Sequence, residues 1–176
     1  LLLKGSQTVT YFNNSPDVLT YIWLQLDENE HSNLNNANYQ NSSRMPAGAM
    51  STQVDGMGFN ANPKDNGLGI KISKLTDATG RKLTYTINKT MMRIDLAKPL
   101  LPGQNISFQI KWWYNVNDRM QVGGRSGYEY FEADQNYLYT IAQFFPRMCV
   151  YNDVTGWQNK QFWVVANSRS LLATTK

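Results

Sequence analysis

Imidazole and thiol are nearly missing from this chain: its 176 residues contain one histidine, His31, and one cysteine, Cys149. A zinc hydrolase of the H-E-x-x-H kind needs two imidazoles one helical turn apart, so that both reach one ion, with a glutamate beside them as base. A lone histidine cannot form that pair, so no catalytic metal site is expected within this chain. The single cysteine likewise excludes an internal disulfide and any multi-cysteine zinc site. Long apolar runs are absent as well, none approaching the roughly 20 residues that cross a bilayer, and no membrane span is expected. The opening "LLLKGSQTVTYF" lacks a charged leader, a full apolar stretch and a small-residue cleavage site, so it contains no signal peptide. Because it begins directly on a strand-like run, the natural amino terminus is expected to lie outside it. There is no internal repeat and no sustained heptad.

Charge of one sign is scarce too. The net charge is +4, and Lys and Arg are scattered along the text. Such a distribution speaks to solubility, and no nucleic-acid partner is expected from it. What the chain does have is rings: 5 Trp, 10 Tyr and 7 Phe, enough large side chains to build a core in one domain of ordinary size.

Two-residue alternation runs through several segments, the mark of half-buried strands. In "ISFQIKWWYNV" one face carries Ile106, Phe108, Ile110 and Trp112, and the other Ser107, Gln109, Lys111 and Trp113. The same pattern recurs at Leu68, Ile70 and Ile72, at Leu83, Tyr85 and Ile87, and at Met92, Ile94 and Leu96. Between these runs stand "DATGRK", "NKT" and "KPLLPGQ", whose Gly, Pro, Asp and Asn suit turns. Residues 68–116 therefore read as an antiparallel meander. "VLTYIWLQL" is apolar on both faces and reads as a central strand. From about 28 to 66 the text turns to Asn, Ser, Gly and Pro, a long loop excursion with a short helix near Ser32 to Gln40. The fold class expected is an all-β antiparallel sandwich.

The chemistry-bearing residues each have a plain reading. His31 lies in a polar loop and reads as solvated, and nothing local activates Cys149, so a Cys149–His31 nucleophile pair is disfavoured. Gly123, Gly124 and Gly127 lack the lysine and the following helix of a phosphate loop, and read as a turn into a strand. Glu129, Glu132 and Asp134 have the residue type of a glycosidase pair, but read as a solvated edge. Trp113 and Trp157 could stack on sugar rings, as in a glycan-binding module, although core or interface packing is the more ordinary use of such rings.

Three stretches carry a resemblance: "YFNNSPDVLTYIWLQLDEN", "GGRSGYEYF" and "YLYTIAQFFPRMCVYNDVTGWQNKQF". Together they resemble the amino-terminal β domain of zinc metallopeptidases of the aminopeptidase N type, in the branch common in Bacteroidetes, over about Gly5 to Phe162. The resemblance implies a saddle-like β domain that precedes a thermolysin-like catalytic domain. Zinc and the Gly-x-Met-Glu-Asn substrate loop belong to that later domain, and neither motif occurs here. It implies peptide as the substrate of the full-length protein, the catalytic domain as partner, and a periplasmic or extracytoplasmic location. It also implies a site residue: Gln143 resembles the family's glutamine that helps hold the substrate's free α-amino group, with Arg147, Cys149 and Asp153 shaping the segment. An amide oxygen accepts from an ammonium without adding a buried charge. By this reading the chain is non-catalytic and contributes one wall of a substrate cleft. The competing readings are an aromatic-rich binding module for glycan or protein, and a structural domain that docks a separately encoded catalytic partner.

After Phe162 the text departs from the family, so that residues 1–162 form the expected domain and 163–176 a foreign tail. Relatives continue with a stretch like F-L-G-R-G-E-F-x-L-x-F-G-N-Y. A coding of "FWVVANSRSLLATTK" exists that, read with one extra base in front, spells F-L-G-R-G-E-F-S-L-P-F-G-N-Y-K. A single-base frameshift near Phe162 is the expectation, with the tail not selected to pair with the sheet.

Overall fold

A computed structural model describes residues 1–34, 65–122 and 126–161. The tail from 162 onward, the stretch 35–64, which includes most of the expected helix near Ser32 to Gln40, and Gly123 and Gly124 lie outside the described residues.

The architecture is all-β and antiparallel. In the first sheet, β1 (Leu2–Phe12) and β3 (Lys71–Asp77) flank β6 (Asn105–Asn115). In the second, the order is β4 (Thr84–Asn88), β5 (Met91–Leu100), β2 (Leu19–Gln25) and the short β9 (Arg147–Met148). Two hairpins complete the set: β7 (Gly127–Phe131) with β8 (Asn136–Thr140), and β10 (Tyr151–Asn152) with β11 (Gly156–Trp157). A 3-10 turn, Asp27–His31, follows β2, and one short helix, α1 (Arg119–Val122), precedes β7. Ser32, at the end of that 3-10 turn, is extended.

One apolar cluster is shared by both sheets. Phe108, Ile110, Trp112 and Tyr114 of β6 and Leu75 of β3 meet Ile22 and Leu24 of β2 and Met92 and Ile94 of β5. These are the inward positions of the period-two pattern, and each fully buried large side chain contributes about 1.5–3 kcal/mol of transfer free energy. β2 lies between β5 and β9, a central position that accounts for its apolar residues on both faces.

Residues 68–116 do not form a meander. Only β4 and β5 are a hairpin; β3 pairs with β6, and β5 pairs with β2 across most of the sequence gap between them. The turns between β3 and β4 and between β5 and β6 therefore pass the chain from one sheet to the other. β3 also breaks its own alternation. A register irregularity between Ile72 and Lys74 shifts the inward phase by one, so that Leu75 is the buried apolar residue of this strand, with Thr76 buried beside it.

Candidate functional site

Gln143 stands at the head of a segment whose backbone is held from four sides. Trp112 Nε1 donates to the carbonyl of Phe144 at 3.2 Å, and Gln7 Nε2 donates to the carbonyl of Pro146 at 2.6 Å. Beyond these, Arg147 and Met148 pair with Gln25 and Leu24 as β9, and the Cys149 amide donates to the carbonyl of Trp23 at 3.0 Å. Gln143 itself is exposed, with φ of 55°, in the left-handed region that a residue bearing a Cβ rarely enters. No described partner fixes its amide.

Arg147 anchors the segment electrostatically. Its Nε donates to Asp27 Oδ2 at 2.6 Å and its Nη2 to Asp27 Oδ1 at 3.1 Å, with a further bond to Gln25 Oε1. Asp27 is almost wholly buried at the start of the 3-10 turn. Burial pushes its carboxyl upward, and the two bonds and the charge of Arg147 oppose that rise. The bidentate geometry is the arrangement that guanidinium and carboxylate planes favour.

Cys149 is buried, and burial pushes its thiol up to about 12. The charged groups that act on it are Arg147 and Asp27, not His31. A thiol so placed is a small apolar side chain at neutral pH. Asp153 is exposed at the tip of the β10–β11 hairpin, where Asn152 caps the turn by accepting from the amides of Val154 and Thr155. A cleft of about 470 Å³ between the end of β1 and this hairpin includes Cys149, Tyr151 and Asp153 in its lining, but not Gln143. The fold thus joins Arg147 and Cys149 to the Gln143 segment and sets Asp153 on a separate turn.

His31 is not a solvated loop residue. It is half-buried at the end of the 3-10 turn, and burial lowers its pKa. Glu129 pairs with Arg119 across the α1–β7 junction, while Glu132 and Asp134 are exposed in the β7–β8 turn. Gly127 opens β7 at φ 139°, and a Cβ there would meet the Asn117 carbonyl at 2.7 Å, so the position requires glycine. Trp157 packs against Tyr11 and Tyr151, and Trp113 is half-buried on the outer side of β6. Among the described residues no group of three or more His, Cys, Asp and Glu could hold a metal, and no helix is long and apolar enough to cross a membrane.

Two features escape the sequence reading. The first is a buried polar pocket around Glu28. This carboxyl, only 4% exposed, is pushed up to about 7, chiefly by burial, with the nearby Ser126 hydroxyl pulling the other way and Asp27 and Glu30 adding repulsion. Its charge also raises the Tyr114 phenol, which burial has already driven up. Tyr114 Oη, Ser126 Oγ and Asn117 Oδ1 are all buried without a hydrogen bond of normal geometry among the described residues. The acidic "DENEH" directly after a central strand was the available signal.

The second is an apolar surface. Tyr128, Tyr130, Tyr137 and Tyr139 share one face of the β7–β8 hairpin by register, with Tyr130 and Tyr137 centroids 4.7 Å apart. The exposed large apolar residues continue from there to either side of Gln143, through Ile141 to Phe144 and Phe145. No protein family, curated protein or solved structure matches this chain.

Proposed function

We propose that this chain is the non-catalytic amino-terminal β domain, or a fragment of it, of an aminopeptidase-like zinc metallopeptidase. In the full-length protein it forms one wall of the peptide cleft. The observation that carries the reading is the company Gln143 keeps: between Tyr130 and Phe145, eight large apolar side chains are more than a third exposed. Register puts Tyr130, Tyr137 and Tyr139 on one face of the hairpin and Phe131 and Leu138 on the other, and large apolar side chains exposed in such number mark surface made to be covered by another protein. The occupant proposed is the parent's catalytic domain, which would carry the zinc and activate the attacking water. With that domain in place, the rigid Arg147–Asp27 anchor fixes the backbone on which the Gln143 amide meets the substrate's α-amino group. The all-β architecture and the three resembling stretches support the same reading. Periplasmic export follows from the resemblance.

The gene provides the test. Read one base displaced from codon 162, the DNA should continue as F-L-G-R-G-E-F and later encode Gly-x-Met-Glu-Asn and H-E-x-x-H. If no displaced frame contains that continuation, the reading fails. At the protein level, the purified chain with added zinc should leave an aminoacyl amide uncleaved; zinc-dependent hydrolysis that survives removal of contaminating enzymes would contradict it.

A further inference from the structure

The lysines that lie far apart in the sequence meet on the outer side of the first sheet. Residues directly opposite one another in an antiparallel pair point to the same face. Register therefore places Lys4, Trp113 and Lys71 in one row across β1, β6 and β3, and Ser6, Lys111 and Lys74 in the next. Lys4, Lys74 and Lys111 are exposed, and Trp113 is half-exposed between them. Among the described residues a carboxylate approaches only Lys71, with Asp65 at 3.9 Å. Lys74 and Lys111 stand directly opposite, a like-charge arrangement that costs a sheet stability unless something else favours it.

Lysine on edge strands is an ordinary guard against edge-to-edge pairing, and that accounts for Lys4, Lys71 and Lys74. It does not account for Lys111 or Trp113, which stand on the central strand of this sheet. Beyond the two cationic rows the face changes character. Thr8 lies opposite Gln109, and Thr10 opposite Ser107, with the last two hydroxyls 2.8 Å apart. Successive rows are about 7 Å apart, twice the rise per residue of a strand. The face thus offers an aromatic platform within a cationic end, followed over roughly another 14 Å by hydroxyls and an amide, with Lys82 bridged to Thr76 at the side of the Gln109 row.

We infer that this face binds an acidic polysaccharide chain, a sugar ring lying on Trp113, its carboxylates among the lysines, and the following hydroxyls along the Thr and Ser rows. A ring face is a good partner for the apolar side of a sugar, and its hydroxyls can both donate and accept along a row of hydroxyls. A nucleic-acid strand carries a phosphate at every step and would meet only one cation, Lys82 bridged to Thr76 beside Gln109, in the second half of the track. The inference stands apart from the proposed peptidase origin, since it uses the opposite surface chemistry and none of the Gln143 segment.

The experiment is a titration of the intact chain with an oligogalacturonate, followed by tryptophan fluorescence and calorimetry, with a neutral galactose oligomer and single-stranded DNA as the other arms. The expected result is binding of the oligogalacturonate alone, weakened at least tenfold in Trp113→Ala and several-fold in Lys111→Gln, each variant retaining its circular dichroism. Because Lys111 is exposed, the glutamine variant keeps the test valid if the tryptophan variant fails to fold. Equal binding of the neutral oligomer, tighter binding of DNA, no binding in any arm, or variants that bind as the parent does would each overturn the inference.

Discussion

Glu28 and Arg147 are single side chains on which separate parts of the molecule depend, in opposite senses. In the unfolded chain the Glu28 carboxyl ionises near 4.5, whereas in the fold it keeps its proton up to about pH 7. Between those values the folded state binds a proton that the unfolded state has lost, so stability falls as pH rises across that window and levels off above it. The interval corresponds to roughly 3 kcal/mol. Glu28→Gln should therefore be more stable than the parent by about 2–3 kcal/mol at pH 8, with the difference vanishing near pH 4; urea unfolding at both values checks this. A difference independent of pH would show that ionisation of Glu28 is not its source. Arg147→Ala removes the countercharge that, among the described residues, pairs with a buried carboxylate. The expected cost is on the order of 3 kcal/mol, at the low end for a broken buried pair because the guanidinium is 37% exposed. Chemical denaturation at neutral pH measures it, and a loss below about 1 kcal/mol would place the pair among ordinary surface ion pairs.

Among the elements, β1 and β6 transmit their packing to the Gln143 segment through Trp112, beside the direct bond from Gln7 to Pro146. A Cβ on Gly5 would sit 2.2 Å from the Trp112 ring, whose Nε1 donates to Phe144. Gly5→Ala should therefore displace the ring, cost about 1–3 kcal/mol of overpacking strain, and loosen residues 143–146 some distance away in sequence. Hydrogen exchange on this segment, faster in the variant than in the parent relative to β5, is the expected readout. Unchanged exchange there would mean that Trp112 does not tie the segment down. Much of this level was legible in the sequence. The alternation of β6 gave its inward face correctly, because a strand with no irregularity against β1 keeps its period from end to end. The doubly apolar β2 read as central for the same local reason. Pairing partners were not legible: β3 lies beside β6, thirty residues on, and nothing local distinguishes that from a meander. The bulge at Ile72 and Lys74 likewise moved the core residue to Leu75 without any glycine to announce it. At the site, Arg147 could be singled out from its segment, but Asp27, 120 residues earlier, could be matched to it only by the fold.

At the scale of the whole molecule, the decisive property is the unequal finish of its surfaces. One sheet carries cations and hydroxyls, while the β7–β8 hairpin and the residues up to Phe145 present rings to water. The isolated chain should therefore self-associate through the aromatic surface as concentration rises, and sedimentation velocity should show the sedimentation coefficient rising with it. The double change Tyr137→Ser and Tyr139→Ser should hold the chain monomeric over the same range. If the parent remains monomeric throughout, the exposed rings are not an adhesive surface. The lysine cluster shows at this scale what a scattered distribution conceals. Lys4, Lys71, Lys74 and Lys111 look dispersed along a line of text and become neighbours only when three strands are laid side by side.

The solitary thiol has a practical use that follows from where it sits. With its amide tied to Trp23 and its thiolate suppressed by burial, Cys149 should react slowly with a chromogenic disulfide reagent from the cleft it lines and faster when this stretch lifts away from the sheet. The rate of colour release is thus a built-in stopwatch for that breathing motion, readable without attaching any probe.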